Sequence, residues 1–254
     1  MPLEVREVQR HITLVTIDNQ AKRNAMSRQM LGELGDVWQR LNGRDGQDCR
    51  CVVITGAGAK GFCAGADIGG DLSASEETAR VVNRSLLKTS TFSKPIVAAV
   101  NGDCAGGGVE LLIATDIRGA ATHARFGLPE VRFAIYPFGG AAVKLVHQIG
   151  HVHASDLLLT GRLVDADHAQ RIGLVNEVMP AERLMPWAMQ KAEMIAKNSP
   201  VAVQAVKSQL SAMSAEHAQS REALDQQLGD RVRASKDFGE GIASFREKRP
   251  AKYD

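Results

Sequence analysis

Residues 101–116 read NGDCAGGGVELLIATD, in which three consecutive glycines open a segment that turns apolar around one carboxylate, Glu110. Glycine is unfavourable by roughly 0.5–1 kcal/mol against alanine inside a helix. A carboxylate buried without a partner is expensive to keep ionised. A chain that places both at one spot needs its backbone accessible there. If Gly106, Gly107 and Gly108 begin a helix after PIVAAVNG, their N–H groups are among those that a helix start leaves without acceptors. The missing Cβ lets a bulky group come close to those amides. Glu110 lies three residues after Gly107 and shares its face. Helical side chains tilt toward the N-terminus, which aims this carboxylate back over the amides. A capping role accounts for a glutamate but not for the glycines.

Around this segment the chain alternates β-branched runs with helical stretches. HITLVTI (11–17) alternates as a strand does, and CVVIT (51–55) and PIVAAV (95–100) read as buried strands. SRQMLGELGDVWQRL (27–41) predicts a helix capped by Ser27, with Met30, Leu31, Leu34, Val37, Trp38 and Leu41 on one face. ASEETARVVNRSLLK (74–88) has a second helical period, and GLVNEV (173–178) reads as one more strand. From Ala181 onward the periodicity is helical, in four segments: AERLMPWAMQKAEMIAK, PVAVQAVKSQLSAM, EHAQSREALDQQLGDRVRAS and KDFGEGIASFREKRP. The expected architecture is a βα core over residues 1–180 with a helical region over 181–254.

Composition excludes several functional classes. A formal net charge of +2 is too small to make nucleic acid the main partner. No apolar run reaches the ~18 residues of a membrane span. The N-terminal MPLEVREVQRHITLVTID has no signal-peptide core and carries Glu4 and Glu7. Cys49, Cys51, Cys63 and Cys104 read as reduced thiols of a cytoplasmic protein, and Cys49-x-Cys51 lacks a second pair at metal-ligand spacing. Gly56-x-Gly58-x-x-Gly61 has dinucleotide-turn spacing, but GFCAGADIGGD follows it and no helix can readily start there. His147, His151 and His153 are interrupted by Gly150 and have no acidic partner at helical spacing. No metal site is expected.

Two further segments share the character of the first. GFCAGADI (61–68) is a small-residue loop ending in Asp67, a plausible source of a backbone N–H donor, and ARFGLPEV (124–131) sets Pro129 and Glu130 at a helix start. Together with KRNAMS, KPIVAAVNGDCAGGGVEL, YPFGG, LLLTGR and FREKRP in that order, these segments identify a resemblance to the enoyl-CoA hydratase/isomerase (crotonase) superfamily over nearly the whole chain.

The resemblance implies an α/β fold, a crotonase-like spiral of ββα units with a C-terminal helical region, assembling as a homotrimer or a dimer of trimers. It implies an acyl-CoA thioester substrate whose enolate is held by the amides of Ala66 and Gly107. Coenzyme A would enter as part of the substrate, with no tightly bound cofactor. Glutamates at both Glu110 and Glu130 imply hydration of a trans-2-enoyl-CoA. An isomerase or another crotonase-type enzyme is the alternative, and an RNA-binding, non-catalytic member the non-enzyme one. By motif position the CoA ester would lie against Arg23, Ala25, Ala64, Ala66, Asp67, Ile68, Gly106, Gly107, Pro129, Phe138, Phe245 and Lys248, with Lys248 or Arg249 near the phosphates. Two departures stand out. Gly69 replaces a lysine found in many hydratases, and Phe138 follows Pro137 where some hydratases have a glycine.

Overall fold

The computed structural model describes residues 3–67 and 76–253. Leu3–Gln9 (β1) and Ile12–Ile17 (β2) form an antiparallel pair, followed by the helix Arg28–Asn42 (α1). Ser27 caps α1 by accepting the Met30 N–H at 3.3 Å, and the helix buries the six apolar residues its periodicity predicts. Three units then repeat one path. The first is Cys51–Gly56 (β3), Gly61–Cys63 (β4) and Glu76–Ser85 (α2). The second is Ile96–Val100 (β5), Asp103–Ala105 (β6) and Gly107–Leu112 (α3). The third is Ile117–Ala121 (β7), Arg125–Gly127 (β8), a 3-10 turn over Pro129–Phe133, and Ala141–Ile149 (α4). The chain continues through His151–Thr160 (α5), Leu163–Asp165 (β9), Ala166–Arg171 (α6) and Glu177–Met179 (β10). It ends in Ala181–Ala196 (α7), Pro200–Arg233 (α8) and Lys236–Glu247 (α9).

Each unit sends its first strand to one sheet and its second to another. Among the described residues the larger sheet runs β1-β2-β3-β5-β7-β10 and the smaller β4-β6-β8-β9. The β3, β5 and β7 strands pair in parallel, as do β4, β6 and β8. This is the ββα spiral, with mixed α/β content and a helical C-terminal region. Strands β3 and β5 are buried on both faces, as continuous apolar runs in a parallel sheet must be. Val52 and Ile54 face the main core, whereas Cys51 and Val53 face α7 on the opposite side. The helix α7 therefore completes the core, and its Trp187 ring lies where a Cβ on Gly119 would stand 2.4 Å from it. Its indole N–H donates to Glu177 at 2.7 Å.

Several sequence expectations change at this level. The strand expected over 173–178 is confined to Glu177–Met179. The two helices read over residues 200–213 and 216–235 are one helix of 34 residues, α8, since nothing between them breaks the period. Pro129–Glu130 opens a 3-10 turn that ends when Ala134 takes a left-handed conformation (φ 49°). After Gly56-x-Gly58-x-x-Gly61 the chain enters β4 rather than a helix, so a dinucleotide turn does not form there. Gly150 separates α4 from α5, and His147 stacks on His217 of α8 at 4.1 Å between ring centroids. The four cysteines are buried free thiols. No helix of the described residues is long and apolar enough to cross a membrane.

Truncating Trp187 to alanine should lower stability by about 3–5 kcal/mol, the range for removing a large buried aromatic. Urea unfolding followed by far-ultraviolet circular dichroism checks it. A loss under ~1 kcal/mol would show that α7 is not part of the core.

Candidate active site

Three segments meet because three short strands are parallel. The loop 64–67 follows β4, Gly106 to Glu110 follow β6, and Pro129–Phe133 follows β8. All three therefore leave the small sheet at its carboxyl end, where open parallel sheets form their ligand crevices. The first is tied down by Met26, which donates its N–H to the Gly65 carbonyl at 2.8 Å and accepts from Asp67 at 2.9 Å. These bonds occupy the residues on either side of Ala66. Among the described residues neither the Ala66 N–H nor the Gly107 N–H meets an acceptor.

The glycine run now has a physical explanation. Gly106 has φ +55° and ψ −126°, outside the regions L side chains adopt, and a Cβ on it would lie 3.0 Å from a Glu130 carboxylate oxygen. A Cβ on Gly107 would lie 3.4 Å from the Ala66 nitrogen, so the two free amides stand side by side. Gly108 has no room for a side chain at all, because a Cβ there would be 2.1 Å from the Cys63 carbonyl oxygen. Residues 107–112 do form a helix, α3, and Glu110 sits in its first turn.

Glu110 is 5% exposed and accepts the Gly139 N–H at 2.6 Å. Burial holds its carboxyl above the usual range, opposed by the amides of Gly139 and Ala141 and by the charge of Lys88. Glu130 is also pushed up, first by burial and then by the charge of Glu110, with only its own backbone amide acting against the shift. Its Oε2 is buried without a hydrogen-bond partner among the described residues. Two buried carboxyls, one of which feels the other's charge, titrate as a pair. The backbone donors and the Lys88 charge favour the ionised form at Glu110, and Glu130 has fewer groups that do so.

These groups line one cavity of about 730 Å³. Of the residues that the sequence singles out, Ala25, Ala64, Ala66, Asp67, Gly106, Gly107, Glu110, Pro129, Glu130, Phe138 and Phe245 line it. Arg23 and Lys248 stand outside its lining. Arg23 adopts a left-handed conformation (φ 52°) and pairs with Asp103 at 3.3 Å. Lys248 ends α9 with φ 53°, and the neighbouring Arg249 is engaged by Glu240 and Glu247. Arg246, one turn earlier, is the α9 cation in the lining. Ile68 and Gly69 lie outside the described residues. The helix α9 covers the cavity of its own chain, with Phe245 edge-on to Phe133 at 5.2 Å and Gly241 pressed against the Phe133 carbonyl.

Sequence reasoning missed a buried polar cluster at one wall. Lys88, 2% exposed, pairs with Glu222 at 2.9 Å and with Asp225 at 3.1 Å, both from α8. Asp225 accepts the Tyr136 hydroxyl at 2.8 Å, and Asn83 donates to Glu222 at 3.1 Å. The only sequence trace is the spacing of 222, 225 and 229 along one helix face, which reads as ordinary solvated helix until the partners 89 and 139 residues away are known.

Comparison with known proteins gives a consistent result. The family model for enoyl-CoA hydratase/isomerase matches residues 7–254. The chain is 37% identical over 250 residues to the enoyl-CoA hydratase EchA19 of Mycobacterium tuberculosis, covering 96% of this chain and 93% of that protein. It is 35% identical over 245 residues to the 2,3-dehydroadipyl-CoA hydratase of Escherichia coli, covering 95% and 94%. The solved enoyl-CoA hydratase/isomerase of Pseudoalteromonas atlantica superposes with a TM-score of 0.90 at 30% identity, covering all of both chains.

The raised carboxyls have a thermodynamic consequence. The folded chain binds more protons than the unfolded one between the unfolded carboxyl value near 4.3 and the raised folded value. Stability must therefore fall as pH rises through that window. Glu130→Gln should stabilise the protein at pH 8 by on the order of 1–2 kcal/mol and lose that gain below about pH 4. Urea midpoints at the two pH values test this, and an equal gain at both would refute the buried-charge origin.

Proposed function

Because the chain belongs to the enoyl-CoA hydratase/isomerase family and is a hydro-lyase of the enoyl-CoA hydratase kind, we propose that Ala66, Gly107, Glu110 and Glu130 add water to a trans-2-enoyl-CoA. The observation that carries the reading is two unoccupied backbone amides beside two raised carboxyls in one cavity.

The thioester oxygen accepts from the Ala66 and Gly107 N–H groups, which become more favourable as negative charge develops on it. Glu110, ionised and fixed by Gly139, takes a proton from water as the water oxygen bonds to the β-carbon. The double-bond electrons pass to the α-carbon and thioester as an enolate. Glu130 then gives its proton to the α-carbon, and proton exchange between the two carboxyls restores the starting state. Two carboxyls held at different protonation by different surroundings divide acid and base roles in this way. Isomerisation needs only the proton traffic of Glu130 and no water, so the presence of both glutamates supports hydration.

The thioester arm fits between Ala25, Ala64 and Asp67 on one side and Phe245 on the other, with Arg246 available to the CoA phosphates. Coenzyme A enters as part of the substrate and no tightly held cofactor is invoked. The homotrimer or dimer of trimers belongs to the same proposal, as do a cytoplasmic location and the division at residue 180. Exposed apolar residues on α8, among them Val206, Leu210 and Met213, are consistent with assembly.

Hydration followed by ultraviolet absorbance, with α-deuterium exchange by NMR, separates the glutamates. Glu110→Gln should lower hydration by about 10²–10⁴ while leaving some isomerisation of a 3-enoyl-CoA. Glu130→Gln should suppress both. Loss of isomerisation only in Glu110→Gln would reverse the roles. Gly107→Val should keep its circular dichroism spectrum and lose turnover, because the side chain screens the Gly107 and Ala66 amides. A folded, fully active variant would remove Gly107 from the mechanism.

A further inference from the structure

Phe138 forms part of the cavity wall. Its ring lies against Gly229 of α8, where a Cβ would stand 2.1 Å from two ring carbons. Any larger residue at 229 would expel the ring. Tyr136 packs edge-on to it at 5.5 Å, and the Arg233 guanidinium lies over its face at 4.1 Å. Phe138 precedes Gly139, whose amide holds Glu110 at 2.6 Å. Chain geometry therefore keeps the guanidinium within about 14 Å of the reacting carboxylate. That is the reach of an acyl chain of medium length.

Arg233 is half-buried in the cavity lining among Phe138, Phe238 and Ile242. Its one acceptor among the described residues is Asp230, at 3.4 Å, and that carboxylate is itself mostly exposed and shared with the Gln226 amide at 2.9 Å. Two other cations of the lining are already matched, and Arg246 is the one proposed for the CoA phosphates. Lys88 is matched by Glu222 and Asp225, and Lys22 by Asp67. Arg233 thus presents donors without a further acceptor among the described residues, with its guanidinium over a ring. A saturated hydrocarbon tail would desolvate that cation with no return, whereas a carboxylate matches its planar donors.

We propose that Arg233, carried on the Phe138 ring, recognises a carboxylate at the far end of the acyl chain, so that the preferred substrates are ω-carboxylated enoyl-CoA thioesters. This rests on the acyl-CoA reading of the cavity. It makes Phe138 and Gly229 positioning residues for the guanidinium.

Binding and turnover can be read separately. Calorimetric titration of the wild-type protein with two non-reacting thioesters, adipyl-CoA and hexanoyl-CoA, should give at least tenfold tighter binding of the carboxylated chain. Arg233→Leu should weaken adipyl-CoA by about 10- to 100-fold, as loss of a charge-assisted hydrogen bond does. Hexanoyl-CoA should bind that variant as well as before or better, and Arg233→Lys should recover part of the preference. Equal wild-type affinity for both chains overturns the proposal. So does an equal loss for both in Arg233→Leu, which would mark a structural role or a contact to the CoA moiety. If adipyl-CoA is preferred while trans-2-hexenedioyl-CoA is not hydrated, the anion site stands and the hydratase reading alone fails.

Discussion

The parallel pairing of β4, β6 and β8 is the constraint on which the site depends. Each is only three residues long, yet their common direction brings three chain reversals to one edge. Ala66, Gly107 and Glu130 each lie two or three residues beyond the end of one of these strands. Side-chain volume at that edge is limited by the approach of the loops, because the carbonyl of Cys63 leaves no space for a Cβ at 108 and the amide of Ala66 little at 107. The unused amides are a product of this crowding. A loop that had room for side chains would also have room to turn its N–H groups toward acceptors.

Charge in the cavity follows from the same geometry. Both glutamates are taken out of water, but their surroundings differ. Glu110 receives backbone donors and the field of Lys88, whereas Glu130 keeps one buried oxygen without a partner among the described residues. The fold thereby carries an energetic penalty where its chemistry is proposed, a common relation between stability and active sites. Lys88 links this site to the distant helix α8 through Glu222 and Asp225. The acyl wall and the proposed base thus rest on one buried network.

The helix α8 has two roles along its length. Its Lys207 pairs with Asp116, which also accepts the Ile96 N–H, and so fastens the helix to the parallel core. Its last turns supply Arg233 to the cavity and Gly229 to the back of the Phe138 ring. The helix α9 then returns over the site and closes it with Phe238, Ile242 and Phe245.

The sequence alone determined the buried strands, the amphipathic α1 with its Ser27 cap and the helical C-terminal region, and it singled out Gly107 and Glu110. These are local facts: apolar runs, helical period, glycine where a backbone must be reached, and a carboxylate at a fixed offset from it. Motif resemblance supplied the proposed roles of Ala66 and Glu130, which no period encodes. Only the tertiary structure decided that α8 is continuous, that Lys88 is neutralised by α8, that Arg246 rather than Lys248 lines the cavity, and that Phe138 turns toward Gly229. Each of these joins residues far apart in the chain, such as Tyr136 with Asp225 at a separation of 89. A contact between distant segments leaves no periodicity in either one, because what selects each residue is the space left by the other.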